Sequence, residues 1–331
     1  MVTNPQFYDR KKVLLKIKNL KQYFPIKGGI LGRTVNHVKA VDDISFVVYE
    51  GETLSIVGES GCGKSTTGRA ILRLDQPTDG QIQFQDQDLL RLNKQDMRKM
   101  RKDLQVIFQD PFASLNPRQT VGQILYEALA IQQVLPKEKR LERILELLEN
   151  VGLRPDTMDR YPHEFSGGQR QRIGIARAIA VEPKLIICDE AVSALDVSVQ
   201  AQVLNLLKSL QHKLGLTFLF ISHDLGVVRH ISDRIMVMYL GKIVEIADKR
   251  SLFDNPQHPY TRALLSSIPV PNQKEKKERI LLKGDVPSPL NPPLGCRFHT
   301  RCPFAIEECK VTTPELRIIS GKHQVACHLV N

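Results

Sequence analysis

The sequence predicts an α/β protein, because short apolar runs of strand length alternate with helical stretches and end in polar residues. Thr53–Val57 and Thr217–Ile221 are two such runs, and residues 185–190 form a third that ends in two carboxylates. From Val121 to about Ala180, apolar residues recur at three- and four-residue steps, as on the buried face of a helix. In an open α/β sheet, ligands bind beyond the carboxyl ends of the strands, so the residues after these strands are the candidate site.

The remaining elements follow from the same patterns and from turn residues. Leu20–Pro25 is predicted to end the first strand, ahead of a basic, glycine-rich loop at Lys27–Arg33. The helical stretch 121–180 is predicted to be an insert between the two halves of the α/β core. The other predicted elements are strands at Leu14–Asn19, Ile44–Tyr49, Gln81–Phe84 and Leu104–Phe108, and helices at Thr66–Leu74 and Gln200–Leu214.

Composition narrows the class of protein. The chain has 331 residues, of which 42% are hydrophobic and 25% charged, as in soluble globular proteins of one large or two ordinary domains. No apolar run is long enough to span a membrane, and Met1–Lys12 is polar, so the protein is predicted to be neither secreted nor membrane-spanning and to start in the cytoplasm.

The net charge of +11 fits a nucleic acid partner, an anionic membrane surface or a solvated exterior. The positively charged residues are scattered over many segments of the chain, which favours the solvated exterior.

Residues 58–65 carry a phosphate-binding pattern directly after a predicted strand, with glycine, four residues and then Gly-Lys-Ser. Its glycines leave room for backbone amides to converge on phosphate oxygens. Lys64 is predicted to reach the β- and γ-phosphates, and the Ser65 hydroxyl to bind Mg²⁺. The loop is therefore predicted to bind a nucleoside triphosphate. Its predicted nucleotide contacts are Gly58, Glu59, Ser60, Gly61, Cys62, Gly63, Lys64, Ser65 and Thr66.

Other strand ends carry the residues that hydrolysis needs. Gln109, at the tip of a buried strand, can add an oxygen ligand to Mg²⁺ and leave when the site empties. Asp189 suits the same ion, and Glu190 can polarise the attacking water as a general base. His223 follows the strand Thr217–Ile221 and is predicted to contact the γ-phosphate.

Two aromatic residues near the first strand are candidates for stacking on adenine. Tyr23 and Phe24 precede the basic loop, and Phe24 is included in the predicted nucleotide site. On position alone, an aromatic residue that covers the core at a strand end is an equally good interpretation.

A second anion site is predicted at Phe165–Gln169. Ser166 is a good helix N-cap, and the two glycines that follow leave the helix N-terminus bare enough to meet a phosphate. A Ser-Gly-Gly turn is common by itself, but a second anion site in a chain that already has a phosphate loop is not.

The ordered set of motifs resembles the ATP-binding-cassette (ABC) ATPases over residues 13–250. The resemblance implies a P-loop NTPase core (RecA-like) with an antiparallel β subdomain, a helical subdomain at about 111–180 and a small cysteine-rich C-terminal extension. Phe165 replaces the usual Leu, and Ala191 and Val192 replace the commoner Pro and Thr, but neither change touches a catalytic group. In family terms, Walker A is 58–65, the Q-loop Gln109, the signature 165–169, Walker B 185–190, the D-loop 193–196 and the switch histidine His223.

The resemblance also implies a dimer, because the chain has one P-loop and one signature. In this family the signature of one subunit closes over the nucleotide of the other, and loss of the γ-phosphate releases the pair. The residues beside Gln109 would pass that motion to a membrane subunit. The residues expected to serve the partner's ATP are Ser166, Gly167, Gly168 and Gln169.

The C-terminal part resembles the oligopeptide/dipeptide branch of ABC importers at 257–265, 282–289 and 295–303. The spacing from Arg10 to Asp43 is more like the ATPase usually encoded second of the pair. We therefore expect domains at 1–250 and 251–331, and a peripheral ATPase on the cytoplasmic face of the cell membrane. Its expected partners are a second homologous ATPase, two permeases and an extracellular or periplasmic substrate-binding protein.

Two alternatives to peptide import stay open. One is an importer for nickel or another small solute, because the ATPase does not touch the cargo. The other is a soluble ABC-type ATPase acting on nucleic acid or ribosomes. Such proteins commonly have two cassettes in one chain or a long coiled-coil insertion, and this chain has neither, so we expect no nucleic acid partner.

The chain has six cysteines, and four of them lie in a segment too rich in proline and charge to build a core alone. Cysteines in a cytoplasmic chain argue against disulfides. The spacing of five, six and seventeen intervening residues differs from the close pairs of zinc sites, whereas a four-thiolate iron–sulfur cluster fits and is what the importer resemblance implies. Zinc, with His299, His323 or His328 as a substitute ligand, and free thiols remain alternatives. The expected 4Fe–4S ligands are Cys296, Cys302, Cys309 and Cys327, and Cys62 and Cys188 are expected to be packing residues.

Overall fold

The computed structural model describes residues 12–28, 32–133, 135–268 and 280–330. The polar start of the chain and part of the basic loop at Lys27–Arg33 lie outside these residues. The chain divides into two compact units. The first unit contains residues 12–13, Tyr49–Thr53 and Arg91–Ile221. The second unit contains Leu14–Val48, Leu54–Leu90 and the chain from Ser222 onward.

The described residues form the following elements. The strands are β1 Val13–Gly28, β2 Arg33–Tyr49, β3 Thr53–Val57, β4 Asp79–Phe84, β5 Gln87–Asp88, β6 Leu104–Ile107, β7 Leu185–Asp189, β8 Thr217–Ile221, β9 Arg234–Tyr239, β10 Lys242–Asp248, β11 Arg317–Ser320 and β12 His323–Val325. The α-helices are α1 Lys64–Ile71, α2 Lys94–Met100, α3 Val121–Ile131, α4 Arg140–Asn150, α5 Gly167–Ile179, α6 Val197–Leu214, α7 Leu225–Ile231, α8 Lys249–Asp254, α9 Pro259–Ser266 and α10 Glu307–Val311.

The first unit holds three parallel strands in the order β6-β7-β8 and the helices α2 to α6. The side chains of β8 are all buried, which explains why this strand reads as an uninterrupted apolar run rather than an alternating one. The predicted helical stretch contains α3, α4 and α5. Because the strands are parallel, their carboxyl ends lie at one edge, where Ile107 of β6 is level with Cys188 of β7.

The second unit holds two sheet regions. Strands β2, β1, β4 and β5 are neighbours in that order, and the β1/β4 and β4/β5 pairs are antiparallel, as predicted for the β subdomain. Strands β11, β12, β10, β9 and β3 form the other region, in which β3 and β9 are parallel. Strand β12 pairs antiparallel with β10, so the C-terminal part of the chain extends this sheet instead of standing apart from it.

The prediction that the first strand ends at Leu20–Pro25 is wrong, because β1 continues to Gly28. The register of β1 against β4 shifts between Lys18 and Lys21 and ends at Lys21. Pro25 therefore lies beyond the β4 ladder, where its missing N–H group costs no hydrogen bond to that strand. The proline at position 25 favoured an end to the strand, but in the folded chain β1 continues through it.

An aromatic core in the second unit joins the C-terminal part of the chain to the sheet. Tyr239 of β9, Tyr260 of α9 and Phe298 are each at most 1% exposed, and their ring centroids lie 4.8–5.4 Å apart. Cys296 and Cys302 pack against this core. Among the described residues, no helix is long and apolar enough to cross a membrane.

Candidate functional site

The phosphate-binding loop follows β3 and leads into α1, as predicted. Gly58 has a φ of 153°, and a Cβ atom there would lie 2.2 Å from the carbonyl oxygen of Met238. Gly63 has a φ of 105°, and a Cβ atom there would lie 2.3 Å from the carbonyl oxygen of Ala40. Both glycines are therefore required by backbone conformation and by close packing, in addition to the room that a phosphate needs.

Lys64 is 4% exposed, and its ammonium group lies inside this loop. Its Nζ donates hydrogen bonds to the carbonyl oxygens of Gly58 and Glu59, at 2.8 and 2.9 Å. Lys64 is also the first residue of α1, so its charge adds to the positive end of the helix dipole. This arrangement concentrates positive potential where a polyphosphate would bind.

The two candidate aromatic residues have different surroundings. The hydroxyl of Tyr23 donates a hydrogen bond to the Asp42 carboxylate, and burial raises the pKa of Tyr23, so the hydroxyl keeps its proton. The Phe24 side chain is 37% exposed. Tyr23 therefore has a structural role, and Phe24 presents the more accessible ring for stacking on a base.

Glu190 directly follows β7 and has a backbone φ of 48°, which is uncommon for a residue other than glycine. Its N–H donates to the carbonyl of Ile221, at 3.0 Å. Its own carbonyl accepts hydrogen bonds from the amide and the hydroxyl of Ser193, at 3.0 and 2.9 Å. These contacts hold a strained conformation at the strand tip, as is common for residues at functional sites.

Gln109 and Glu190 are brought together in the first unit by the parallel pairing of β6 and β7. The Nε2 atom of Gln109 donates a hydrogen bond to Oε2 of Glu190, at 3.2 Å. Asp189 is the last residue of β7 and is level with Ile221 of β8. The two carboxylates and the amide thus lie at one edge of the sheet, as the strand ends predicted, but the direct Gln109–Glu190 bond was not predicted.

The Ser-Gly-Gly turn caps α5 as predicted. Gln169 N donates to the Ser166 hydroxyl at 3.4 Å, and Ser166 N donates to the Gln169 side chain at 3.0 Å. This reciprocal capping box gives Gln169 a structural role that was missed, although the Ser-x-x-Gln spacing is its signal. A Cβ atom on Gly168 would lie 2.4 Å from Val199 of α6, so this glycine also permits close packing of two helices. Ser166, Gly167 and Gln169 are exposed.

His223 follows β8 and is exposed, one residue before the N-cap of α7. The N-cap is Asp224, whose carboxylate accepts hydrogen bonds from the amides of Gly226 and Val227, at 2.7 and 3.3 Å. A well-capped helix therefore fixes the backbone next to His223.

The four late cysteines are free thiols, and all of them belong to the second unit. Burial, and to a smaller extent the neighbouring Cys309, Cys327 and Cys302, raises the pKa of the Cys296 thiol to about 11. The Cys296 amide donates to the carbonyl of Cys309, at 2.8 Å. Within the described residues, no three His, Cys, Asp or Glu side chains are grouped so that they could hold a single metal ion. The cluster is therefore not confirmed. Cys62 and Cys188 are buried at 4% and 0% exposure, as expected of packing residues.

Sequence reasoning missed two residues that contact the phosphate-binding loop. The amide of Glu59 donates to the Tyr260 hydroxyl at 2.9 Å, and the Glu59 carboxylate pairs with Arg301 at 2.7 Å. Arg301 is 242 residues away in the chain, and although it lies in the importer-like stretch 295–303, nothing in that stretch indicates a contact with Glu59. Only the tertiary fold reveals these contacts.

Comparison with known proteins agrees with the geometry. Residues 41–193 match the family model described as ABC transporter, and residues 244–309 match the one described as oligopeptide/dipeptide transporter, C-terminal region. The chain is 57% identical to the oligopeptide transport ATP-binding protein AppF of Bacillus subtilis, over 96% of this chain and 98% of that protein. It is 55% identical to the putative oligopeptide transport ATP-binding protein YkfD of the same organism, over 97% and 96% of the two chains.

Solved structures show the same fold. The dimeric post-hydrolysis state of the ATP-binding cassette MJ0796, bound to ADP and Pi, superposes with a TM-score of 0.63 and 30% identity over 71% of this chain and 99% of that one. CbiO1 from Clostridium perfringens, part of the ABC transporter complex cbiONQ, gives a TM-score of 0.64 and 25% identity over 74% and 92%. The chain therefore belongs to the ABC transporter family of ATPases, among the members that carry the oligopeptide/dipeptide transporter C-terminal region.

Proposed function

We propose that this chain is the ATP-hydrolysing subunit of an importer for oligopeptides or dipeptides. The observation that carries the proposal is the combination of an ABC ATPase with a C-terminal region that matches oligopeptide/dipeptide transporters at residues 244–309. Relatives at 57% and 55% identity are named for oligopeptide transport. Nickel or another small solute remains the alternative cargo, and the experiment below distinguishes the two.

The site residues have distinct proposed roles in hydrolysis. Lys64 binds the β- and γ-phosphates, Glu190 accepts the proton of the attacking water, and His223 contacts the γ-phosphate. Ser166–Gln169 serve the ATP of the partner ATPase. The exposure of Ser166, Gly167 and Gln169 supports the last role, because a surface that closes over another subunit must be accessible.

Mg²⁺ is the expected companion of ATP, and the proposed ligands fit its preference for oxygen. They are the Ser65 hydroxyl, the Gln109 amide and the Asp189 carboxylate. The Nε2 of Gln109 donates a hydrogen bond to Glu190, so its Oε1 would be the atom that binds the ion. The ion would neutralise phosphate charge, and Glu190, hydrogen-bonded to Gln109 at the strand tip, would remain the base.

The proposed partners are a second homologous ATPase, two permeases and a substrate-binding protein, with this chain on the cytoplasmic face of the membrane. To test them, a tagged Glu190→Gln protein is purified from native membranes in mild detergent with ATP, and everything bound to it is identified. We expect a second ATPase and two polytopic permeases. Uptake of labelled peptide and of nickel by cells lacking the chain then identifies the cargo. Recovery of ribosomes or nucleic acid without membrane proteins would overturn the importer.

We further propose that the four late cysteines hold an iron–sulfur cluster. Two observations support this proposal: the four cysteines are free, and Cys309, Cys327 and Cys302 are close enough to Cys296 to contribute to the raised pKa of its thiol, after burial. Four cysteine thiolates are the usual ligand set of a [4Fe–4S] cluster, and these four residues would supply it. When bound, the cluster would cross-link the chain around residues 296–327.

The cluster proposal predicts brown protein after anaerobic purification, with acid-labile sulfide and iron in equal amounts. The Cys62→Ser variant is the matched control, because Cys62 lies outside the group and should leave the sulfide content unchanged. Cys309→Ser should reduce it. Colourless protein with one zinc per chain would contradict the cluster.

A further inference from the structure

We propose that Arg301 and Tyr260 are positioning residues for nucleotide binding, which hold the phosphate-binding loop in shape through Glu59. The inference rests on the proposed function insofar as it requires the loop to bind ATP. It adds two residues from the C-terminal part of the chain to the ATP-binding apparatus. All the residues involved lie in the second unit.

Each polar group of Glu59 has a partner. Its carboxylate forms a two-pronged pair with Arg301, with Nη1 to Oε2 at 2.7 Å and Nη2 to Oε1 at 3.1 Å. Its amide donates to the Tyr260 hydroxyl at 2.9 Å. Its carbonyl accepts hydrogen bonds from the Lys64 ammonium at 2.9 Å and from the Cys62 amide at 3.3 Å. Glu59 thus connects the C-terminal residues directly to the lysine that would bind phosphate.

Arg301 is itself held in place. Its side chain is 9% exposed, its guanidinium carbon lies 5.9 Å from the centroid of the Tyr239 ring, and its Nη1 donates to the Tyr239 hydroxyl at 3.5 Å. The hydrogen bond to Glu59 raises the pKa of Arg301 further above its ordinary value, so Arg301 stays charged. A two-pronged pair in which the arginine side chain is mostly buried has a defined geometry, unlike a mobile surface ion pair.

A neighbouring arginine reaches the same loop by another route. Arg297 donates to the carbonyl of Leu240 and to the Asp42 carboxylate. Gly241, the residue after Leu240, donates its amide to the carbonyl of Cys62, at 2.9 Å. Two arginines of one short segment therefore stabilise the loop, one directly and one through the turn that follows β9.

These contacts with the phosphate-binding loop matter for affinity, because a loop that is already ordered loses less conformational entropy when it binds its ligand. The Lys64 ammonium rests on the carbonyl of Glu59, so movement of Glu59 displaces the charge that meets the phosphates. Removing Arg301 leaves the Glu59 carboxylate partly buried and without this partner, which favours a different loop conformation.

The test measures ATP affinity of the purified full chain with a fluorescent ATP analogue, and kcat and KM in the assembled transporter. For Arg301→Gln we expect Kd and KM to rise about tenfold with kcat changed less than about twofold, because the residue acts before the chemical step. Tyr260→Phe should raise Kd about threefold or more.

Arg301→Lys keeps the positive charge and should recover part of the lost ATP affinity. Arg250→Gln is the control, because Arg250 is exposed and pairs only with Asp254 across one helical turn among the contacts described for it.

A double substitution tests whether Arg301 and Glu59 act through their mutual contact. If Arg301 acts through Glu59, then Glu59→Gln and Arg301→Gln together should weaken ATP binding no more than the stronger single change. Folded Arg301→Gln protein with wild-type Kd would overturn the inference. If that variant does not fold, wild-type Kd in both Glu59→Gln and Tyr260→Phe would overturn it. A wild-type chain that binds no ATP would instead contradict the proposed function.

Discussion

Glu190→Gln is expected to slow ATP hydrolysis by about 10²- to 10⁴-fold in the assembled transporter, the usual contribution of a general base. An amide of the same shape cannot take the proton of the attacking water. ATP binding should persist, because the backbone contacts of Glu190 with Ile221 and Ser193 do not involve its carboxylate. The variant is therefore expected to accumulate in the ATP-bound, closed dimer.

The measurement is phosphate release under single-turnover conditions, with ATP occupancy measured on the same sample. Glu142→Gln is a suitable control, because Glu142 is an exposed acid in the first turn of α4 and should leave the rate unchanged. Wild-type hydrolysis by Glu190→Gln would show that another group is the base.

Lys64→Ala should weaken ATP binding by about tenfold to a hundredfold, the usual range for a lost hydrogen bond to a charged group. The ammonium group supplies both the charge for the phosphates and hydrogen bonds to the carbonyls of Gly58 and Glu59. Titration calorimetry with ATP and Mg²⁺ measures the loss directly.

Because Lys64 is buried, its truncation also opens space inside the loop and lowers stability. Lys64→Met fills a similar volume without the charge, so equal loss of affinity in both variants assigns the effect to the ammonium group. Lys94→Ala, at the start of α2, controls for net charge. Unchanged affinity in folded Lys64→Met would rule out the proposed phosphate contact.

Much of the fold was predictable because the strands that carry the chemistry are buried on both faces. β3 and β8 coincide with the apolar runs Thr53–Val57 and Thr217–Ile221. Strands of the antiparallel sheet were harder to delimit. β2 begins at Arg33 and not at Ile44, because its exposed first half has no apolar pattern and is ordered by neighbouring strands.

The candidate site likewise contains residues that the sequence predicts and contacts that only the folded chain creates. Gly58, Lys64 and Glu190 were predictable because their residue types and spacing are dictated by phosphate chemistry. The Arg301–Glu59 pair and the Gln109–Glu190 hydrogen bond depend on which chain segments the fold brings together, and neither arginine nor glutamine is unusual on its own. Likewise, the need for glycine at position 168 comes from Val199, which is distant in the chain.

The position of β12 has a consequence for how the chain matures on the ribosome. Glu245 of β10 is fully buried, and its carboxylate is hydrogen-bonded to the His323 ring, with 2.7 Å between Oε1 and Nε2. His323 belongs to β12, so the buried carboxylate lacks this contact until residue 323 has been synthesised. At about 5–20 residues per second, emergence of the segment from Arg301 to β12 takes seconds, during which a nascent cassette already has its Walker A motif. Termination between residues 301 and 323 would therefore release a chain that has the Walker A motif but lacks β12. Its incomplete sheet would make that chain a substrate for proteases.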